Sequence, residues 1–321
     1  MPAPKTTERD RGGHLHTAML SSLRSVAAGS DNLRGILSMI AAMTSFVAGD
    51  SIIKFAGQEL PPGEMMFVRG LFTSALTLGV AYITGALRRA YLVATPPMLL
   101  RAVGDVGATL FFFMALLRLP FAEVSAISQF APLAITAGAA LFLAEPVGWR
   151  RWMALVAGLT GVLIIIRPGG AAFDWAALFV MGSVLCVAMR DLLTRHIGLS
   201  LPALLLTSYS AVSVTLGGLV LMPFESWRMP TADLLILLII AGVTVSAGTF
   251  FTVMAMRAGD MAVVSPFRYV ATPLAVISGY FVFAELPDNI TFIGIAIVMG
   301  AGLYTLHRER LSLRSRFARI A

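Results

Sequence analysis

Long stretches of this chain have no polar face. Residues 35–55, 62–84, 98–118, 121–144, 149–167, 173–194, 202–222, 232–255, 261–284 and 289–306 are apolar nearly all round. Each is about 18–25 residues long, enough to cross roughly 30 Å of hydrocarbon at about 1.5 Å per residue. The pattern predicts an all-α integral membrane fold of ten transmembrane helices, five in each half. An outer-membrane strand would alternate apolar and polar over roughly ten residues. Leu235–Ile240 and Ile293–Met299 are apolar at every position instead.

Polar and helix-breaking residues then recur. Asp50, Lys54 and Pro61 return as Asp191, Arg195 and Pro202, and Pro132-Leu133-Ala134 with Gly138 returns as Pro273-Leu274-Ala275 with Gly279, each 141 positions on. Glu145 returns as Glu285, one position short of that offset. A constant offset over several residue types marks a duplication. Five being odd, the second half enters the membrane upside down, which predicts two inverted five-helix repeats. Such repeats have two exchangeable conformations, the physical basis of alternating access. The expected organisation is a disordered basic tail over 1–32, a first repeat over 33–168, a second over 169–307 and a basic tail over 308–321.

Composition fixes the solvent. The 321 residues are 58% hydrophobic and 13% charged, with mean hydropathy +0.84. Soluble domains run at about 45–50% apolar and about 25% charged. The net charge of +7 follows topology. Lys5, Arg9, Arg11, Arg24, Arg34, Arg88, Arg89, Arg101, Arg150, Arg151, Arg190, Arg195, Arg257 and the arginines from Arg308 onward fall on one side, against Arg118, Arg167 and Arg228 on the other. The positive-inside rule puts both termini in the cytoplasm of a bacterial inner (plasma) membrane. Nucleic-acid binding is therefore not implied. The tryptophans, Trp149, Trp152, Trp175 and Trp227, fall at expected helix ends, where indoles favour the headgroup layer. A single cysteine, Cys186, excludes an internal disulfide and a cysteine metal cluster. Neither metal nor cofactor is expected, and the tail lacks the apolar core of a secretory signal.

Pro132 and Pro273 fall near the middles of helices 4 and 9, where a missing N–H frees carbonyls at membrane depth. Such breaks line a cavity or pack on protein. The run Ala131-Pro132-Leu133 through Leu143-Ala144-Glu145 and Trp149-Arg150-Arg151-Trp152, with Pro273-Leu274-Ala275 through Phe283-Ala284-Glu285, resembles the EamA-type, ten-helix members of the drug/metabolite transporter superfamily. The resemblance covers about residues 33–307. It implies two inverted repeats around a central substrate cavity, and leaves the substrate open.

Charges shared by the halves are read as scaffold or gate: Asp50/Lys54 and Asp191/Arg195 as pairs four apart on one helix face, with Glu145 and Glu285 closing helices 4 and 9. Arg69, Asp105 and Arg268 have no charged counterpart. A charge at the helix centre costs about 2.5–3.5 kcal/mol on insertion scales. These residues are therefore candidates for binding substrate, with Gln129, Phe112, Tyr209 and Tyr269 beside them. An Arg268–Asp105 pair is the structural alternative. Pro266-Phe267-Arg268-Tyr269 resembles a segment of the branch containing bacterial S-adenosylmethionine and riboflavin uptake transporters.

No phosphate-binding loop accompanies Lys5 or Lys54, which excludes primary pumping by this chain alone. Asp105 is the candidate for carrying a coupling proton, with facilitated diffusion or exchange as the other options. An intramembrane enzyme would want a histidine at membrane depth, yet His14, His16, His196 and His307 fall in tails or at a helix end. A receptor would want a soluble domain, and a homodimer is left open. The expected activity is secondary uptake of a vitamin or cofactor-like metabolite such as riboflavin. S-adenosylmethionine uptake, or amino-acid or drug export, is the alternative.

Overall fold

The computed structural model describes the backbone of residues 8–93, 95–145, 147–170, 173–197, 201–258 and 260–320. Side chains are described there except at 8–30, 92, 195–197, 261–262 and 309–320. The described residues are helical, with no strand among them. The α-helices are α1 (Glu8–Ala56), α2 (Pro62–Ile83), α3 (Pro96–Leu116), α4 (Phe121–Ser128), α5 (Ala131–Phe142), α6 (Trp149–Ile166), α7 (Ala176–Ile197), α8 (Ala203–Leu221), α9 (Ala232–Ala258), α10 (Met261–Val264), α11 (Ala271–Phe283) and α12 (Asn289–Ile320). Nine spans among the described residues are long and apolar enough to cross a membrane, α4 and α5 counting together as one.

The tenth expected span is broken. Residues 261–284 form α10, a 3-10 turn over Ser265–Val270, and α11. Pro266 enters that turn, and Pro273 lies in the first turn of α11. A first-turn proline gives up an N–H that has no intrahelical acceptor anyway. Pro132 likewise starts α5, after a break at Gln129–Phe130. The two prolines therefore begin new helices and do not kink continuous ones. At the chain ends, α1 and α12 run on into the segments expected as tails. No proline interrupts the sequence between Pro4 and Pro61 or after Pro287, so nothing there stops a helix.

Packing pairs α1 with α9, α3 with α7, α2 with α8, and α6 with α12. Lipid is as apolar as a leucine, so association rests on close van der Waals contact, which small residues allow. A Cβ on Gly218 of α8 would lie 2.6 Å from the Phe67 nitrogen of α2, and one on Gly161 of α6 would lie 2.9 Å from the Gly294 carbonyl of α12. Phe113, Leu116, Phe121, Met65, Met66 and Ile127 fill the core.

Candidate functional site

Charged side chains gather at the two ends of the bundle and at one point between. At the first end, the C-terminus of α1 carries Lys54, whose Nζ donates to Leu119 O and Glu285 Oε2, both at 2.7 Å. It also lies 5.2 Å from the centre of the Phe283 ring. Glu285 is aimed by its cap. Ala284 has φ of 54°, and the Glu285 N–H returns to Gly279 O at 2.9 Å. The same turn closes α5, where Ala144 has φ of 53° and the Glu145 N–H reaches Ala139 O at 3.2 Å. This six-residue return is the Schellman closure. The same end holds Arg167, hydrogen-bonded to Asp288 and, at 3.1 Å, to Thr291. The bond from Arg167 and one from the Thr291 N–H at 2.9 Å hold the Asp288 carboxyl below the ordinary carboxylate range.

At the opposite end, α3, α7 and α8 meet. Arg101 donates from Nη1 to Asp105 Oδ2 at 2.7 Å and Ser210 Oγ at 2.9 Å, and from Nε to Thr194 Oγ1 at 2.9 Å. Arg190 bridges Asp105 at 3.3 Å and Asp191 at 2.9 Å. Tyr209 donates to Met98 O at 2.8 Å beside this cluster.

The third feature lies toward the Lys54 end. Arg69 of α2 is 9% exposed, and its guanidinium stacks 4.8 Å from the centre of the Phe113 ring. Its Nε is fully buried with no hydrogen-bond partner. Asp50 of α1 is the acid that acts on it electrostatically. Asp50 is half-buried. No hydrogen bond or ion pair joins the side chain of either residue to another described side chain. A stacked guanidinium with a free edge can take a planar acceptor such as a carboxylate or ring carbonyl.

The expected residues are sorted accordingly. Asp50 and Lys54 do not pair: Lys54 turns to Glu285, leaving Asp50 to Arg69. Asp191 pairs with Arg190, while the Arg195 side chain lies outside the described residues, as do His14, His16 and His196. Asp105 is not the partner of Arg268, because Arg101 and Arg190 already hold both of its oxygens. Arg268 is exposed, and Gln129 Nε2 reaches its carbonyl at 3.1 Å. Tyr269 is buried, its hydroxyl unpartnered, beside a cavity of about 240 Å³ lined also by Pro266, Phe267, Pro273 and Met299. Phe112 packs against the core. Arg101, Thr194 and Ser210 were not foreseen. The signal for Arg101 was its place four residues before Asp105.

Residues 33–167 match the model of the EamA-like transporter family. The chain is 27% identical over 290 residues to an S-adenosylmethionine uptake transporter of Rickettsia felis, covering 88% of this chain and 95% of that one. It is 33% identical over 197 residues to a riboflavin transporter of Rhizobium johnstonii, covering 60% and 64%. A protein of known crystal structure superposes with a TM-score of 0.57 at 18% identity, over 88% of this chain and 99% of the other, which speaks to the fold alone. Apolar spans, the family match over residues 33–167 and the transporter relatives agree: this is a multi-pass membrane protein similar to the EamA-type branch of the drug/metabolite transporter superfamily, whose members matched here are small-metabolite transporters and not enzymes.

Proposed function

We propose that this chain imports a cofactor-like metabolite across the bacterial inner membrane by alternating access, with Arg69 holding an acceptor group of the substrate. The observation that carries the reading is the buried guanidinium with a free Nε. An unpaired buried donor costs about 1–3 kcal/mol, and more when charged, so a substrate acceptor is a reason for keeping one. Arg268, in the 3-10 turn before α11, and Gln129, at the break between α4 and α5, are the second candidate contact. Riboflavin and S-adenosylmethionine are the substrates that the relatives' names bring into view.

In this reading Met261–Phe283 makes a tenth crossing and the halves are inverted, with Lys54 outside and both termini inside. The packing supports it. Shifting by the 141-residue offset exchanges the α1–α9 and α7–α3 interfaces and returns α2–α8 and α6–α12 to themselves. The hydrogen bond of 3.0 Å between Ser74 and Thr215 joins two positions separated by that same 141. The matching Ala144 and Ala284 caps are further support. The Lys54–Glu285 pair then closes the outer end, and the positions equivalent to it are Arg195 and Glu145 at the inner end.

Proteoliposome uptake tests the proposal. Labelled riboflavin and S-adenosylmethionine are offered to wild type and to Arg69→Ala and Arg268→Ala. Uptake of one substrate, lost in Arg69→Ala with the protein still inserted, supports the reading. Unchanged uptake in Arg69→Ala removes that residue from the site.

A further inference from the structure

The cations at the two ends of the bundle differ in what they meet. At the Lys54 end, Lys54 and Arg167 are paired with Glu285 and Asp288. At the opposite end, Arg101 and Arg190 share Asp105. Two further arginine pairs lie at that opposite end. Arg88 and Arg89 follow the last turn of α2, in a 3-10 segment over Ala86–Val93 that packs on α2 and α8. Arg150 and Arg151 lie in the first turn of α6, whose other terminus leads to Arg167. Arg88, Arg89 and Arg150 are exposed and Arg151 is half-buried. None of the four is in an ion pair among the described residues. The chain supplies no acid nearby in sequence either: no aspartate or glutamate occurs between Glu64 and Asp105, or between Glu145 and Asp174.

Both pairs sit where an apolar wall meets this charged rim. Near Arg88 and Arg89 in the chain, Tyr82, Ile83 and Tyr91 are 76%, 83% and 73% exposed. Next to Arg150 and Arg151, Trp149 is 70% exposed, and Met153 and Val156 continue an exposed apolar face down α6. The Arg150 guanidinium lies 5.4 Å from the centre of the Trp149 ring, which holds the charge over the indole. Tryptophan and tyrosine favour the headgroup layer of a bilayer. Each arginine pair is therefore at the depth of lipid phosphates, with lipid-facing helix surface running on from it. A soluble acidic partner would meet the charges and leave that apolar surface unused.

We propose that Arg88/Arg89 and Arg150/Arg151 are two docking sites for anionic phospholipid, the arginines taking the phosphodiester and the acyl chains lying along the exposed faces of α2 and α6. The guanidinium fork matches phosphate oxygens. A zwitterionic headgroup brings its own cation and leaves the arginine charge uncompensated, whereas a headgroup of net negative charge compensates it. This partner is distinct from any transported molecule, and the proposal does not depend on which substrate is carried.

Native mass spectrometry of the full chain tests it, with the protein delipidated in detergent and titrated with dioleoylphosphatidylglycerol or dioleoylphosphatidylcholine. The acyl chains are the same, so the headgroup alone separates the two lipids. Phosphatidylglycerol should bind more tightly by about tenfold at each site. Arg88→Gln/Arg89→Gln and Arg150→Gln/Arg151→Gln should each remove one preferred lipid, and the quadruple variant should bind both lipids alike. Arg150→Lys/Arg151→Lys, with charge kept, should retain most of the preference at that site, which separates charge from a folding artefact. Arg118→Gln/Arg228→Gln, at the Lys54 end, should bind like wild type. Equal binding of the two lipids by wild type overturns the proposal, as does a preference that survives the quadruple variant. Displacement of phosphatidylglycerol by soluble polyglutamate would also overturn it, by assigning the surface to an acidic protein.

Discussion

The Lys54–Glu285 pair gives the most quantitative test of the packing at its end of the bundle. Lys54 makes two charge-assisted bonds of 2.7 Å, to Glu285 and to Leu119 O, and Glu285 also accepts the Phe121 N–H at 3.0 Å. Hydrogen bonds to charged groups contribute about 1.5–3 kcal/mol each, so Lys54→Met has an upper bound of about 3–6 kcal/mol. The Lys54 side chain is 9% exposed and that of Glu285 is 28%. Glu285 can therefore rehydrate in part, and a net loss of about 2–3 kcal/mol is expected. At about 2–4 °C per kcal/mol, the melting temperature in detergent should fall by about 4–12 °C. Glu285→Gln keeps an acceptor for Phe121 and should cost about 1–2 kcal/mol. The double variant should lose less than the sum, because the two side chains touch. Single variants within about 0.5 kcal/mol of wild type, or strictly additive losses, would refute the pair as a stabilising contact.

Three further outcomes are expected. Gly302→Ala would put a Cβ 1.7 Å from the Tyr269 hydroxyl, so it should destabilise by about 1–3 kcal/mol or more; an unchanged melt would contradict the α12–Tyr269 packing. Ala284→Gly relieves a left-handed alanine and should gain about 0.5–1 kcal/mol, read as a higher melting temperature; a fall would mean that the cap is not formed. Asp288 is held below its ordinary range by Arg167 and Thr291. Its contribution is present above about pH 4, the unfolded carboxylate range, and fades as pH falls through the lower folded value. Melts of wild type and Asp288→Asn should therefore differ near neutrality and converge in acid, whereas a gap that is constant with pH would count against the pair.

Much of the architecture was legible in the residue pattern. Apolar runs gave nine of the spans to within a few residues, because a chain in hydrocarbon must satisfy its own backbone and can do so only as helix. The prolines announced the two breaks, although not that new helices start there. Charge partners were the weak point. The rule that residues four apart share a helix face found Asp50 beside Lys54, but Lys54 pairs with Glu285 of another segment instead. The same rule, applied to Arg101 and Asp105, would have succeeded.

The sequence by itself determined the solvent and the helices, since each follows from local hydrophobicity along one line. Only the tertiary structure decided which charges meet. Lys54 finds Glu285 across 231 positions, and Arg69 stacks on Phe113 from another helix. Compared along the chain, Arg69 and Asp105 look unmatched. In space, Arg101 and Arg190 hold Asp105 between them, while Arg69 stacks on Phe113. The physical reason is that burial penalises net charge in a volume, irrespective of which helix supplies it. Charges can thus be balanced across helices, and only the packing of α3 on α7 and on α8 makes that balance visible.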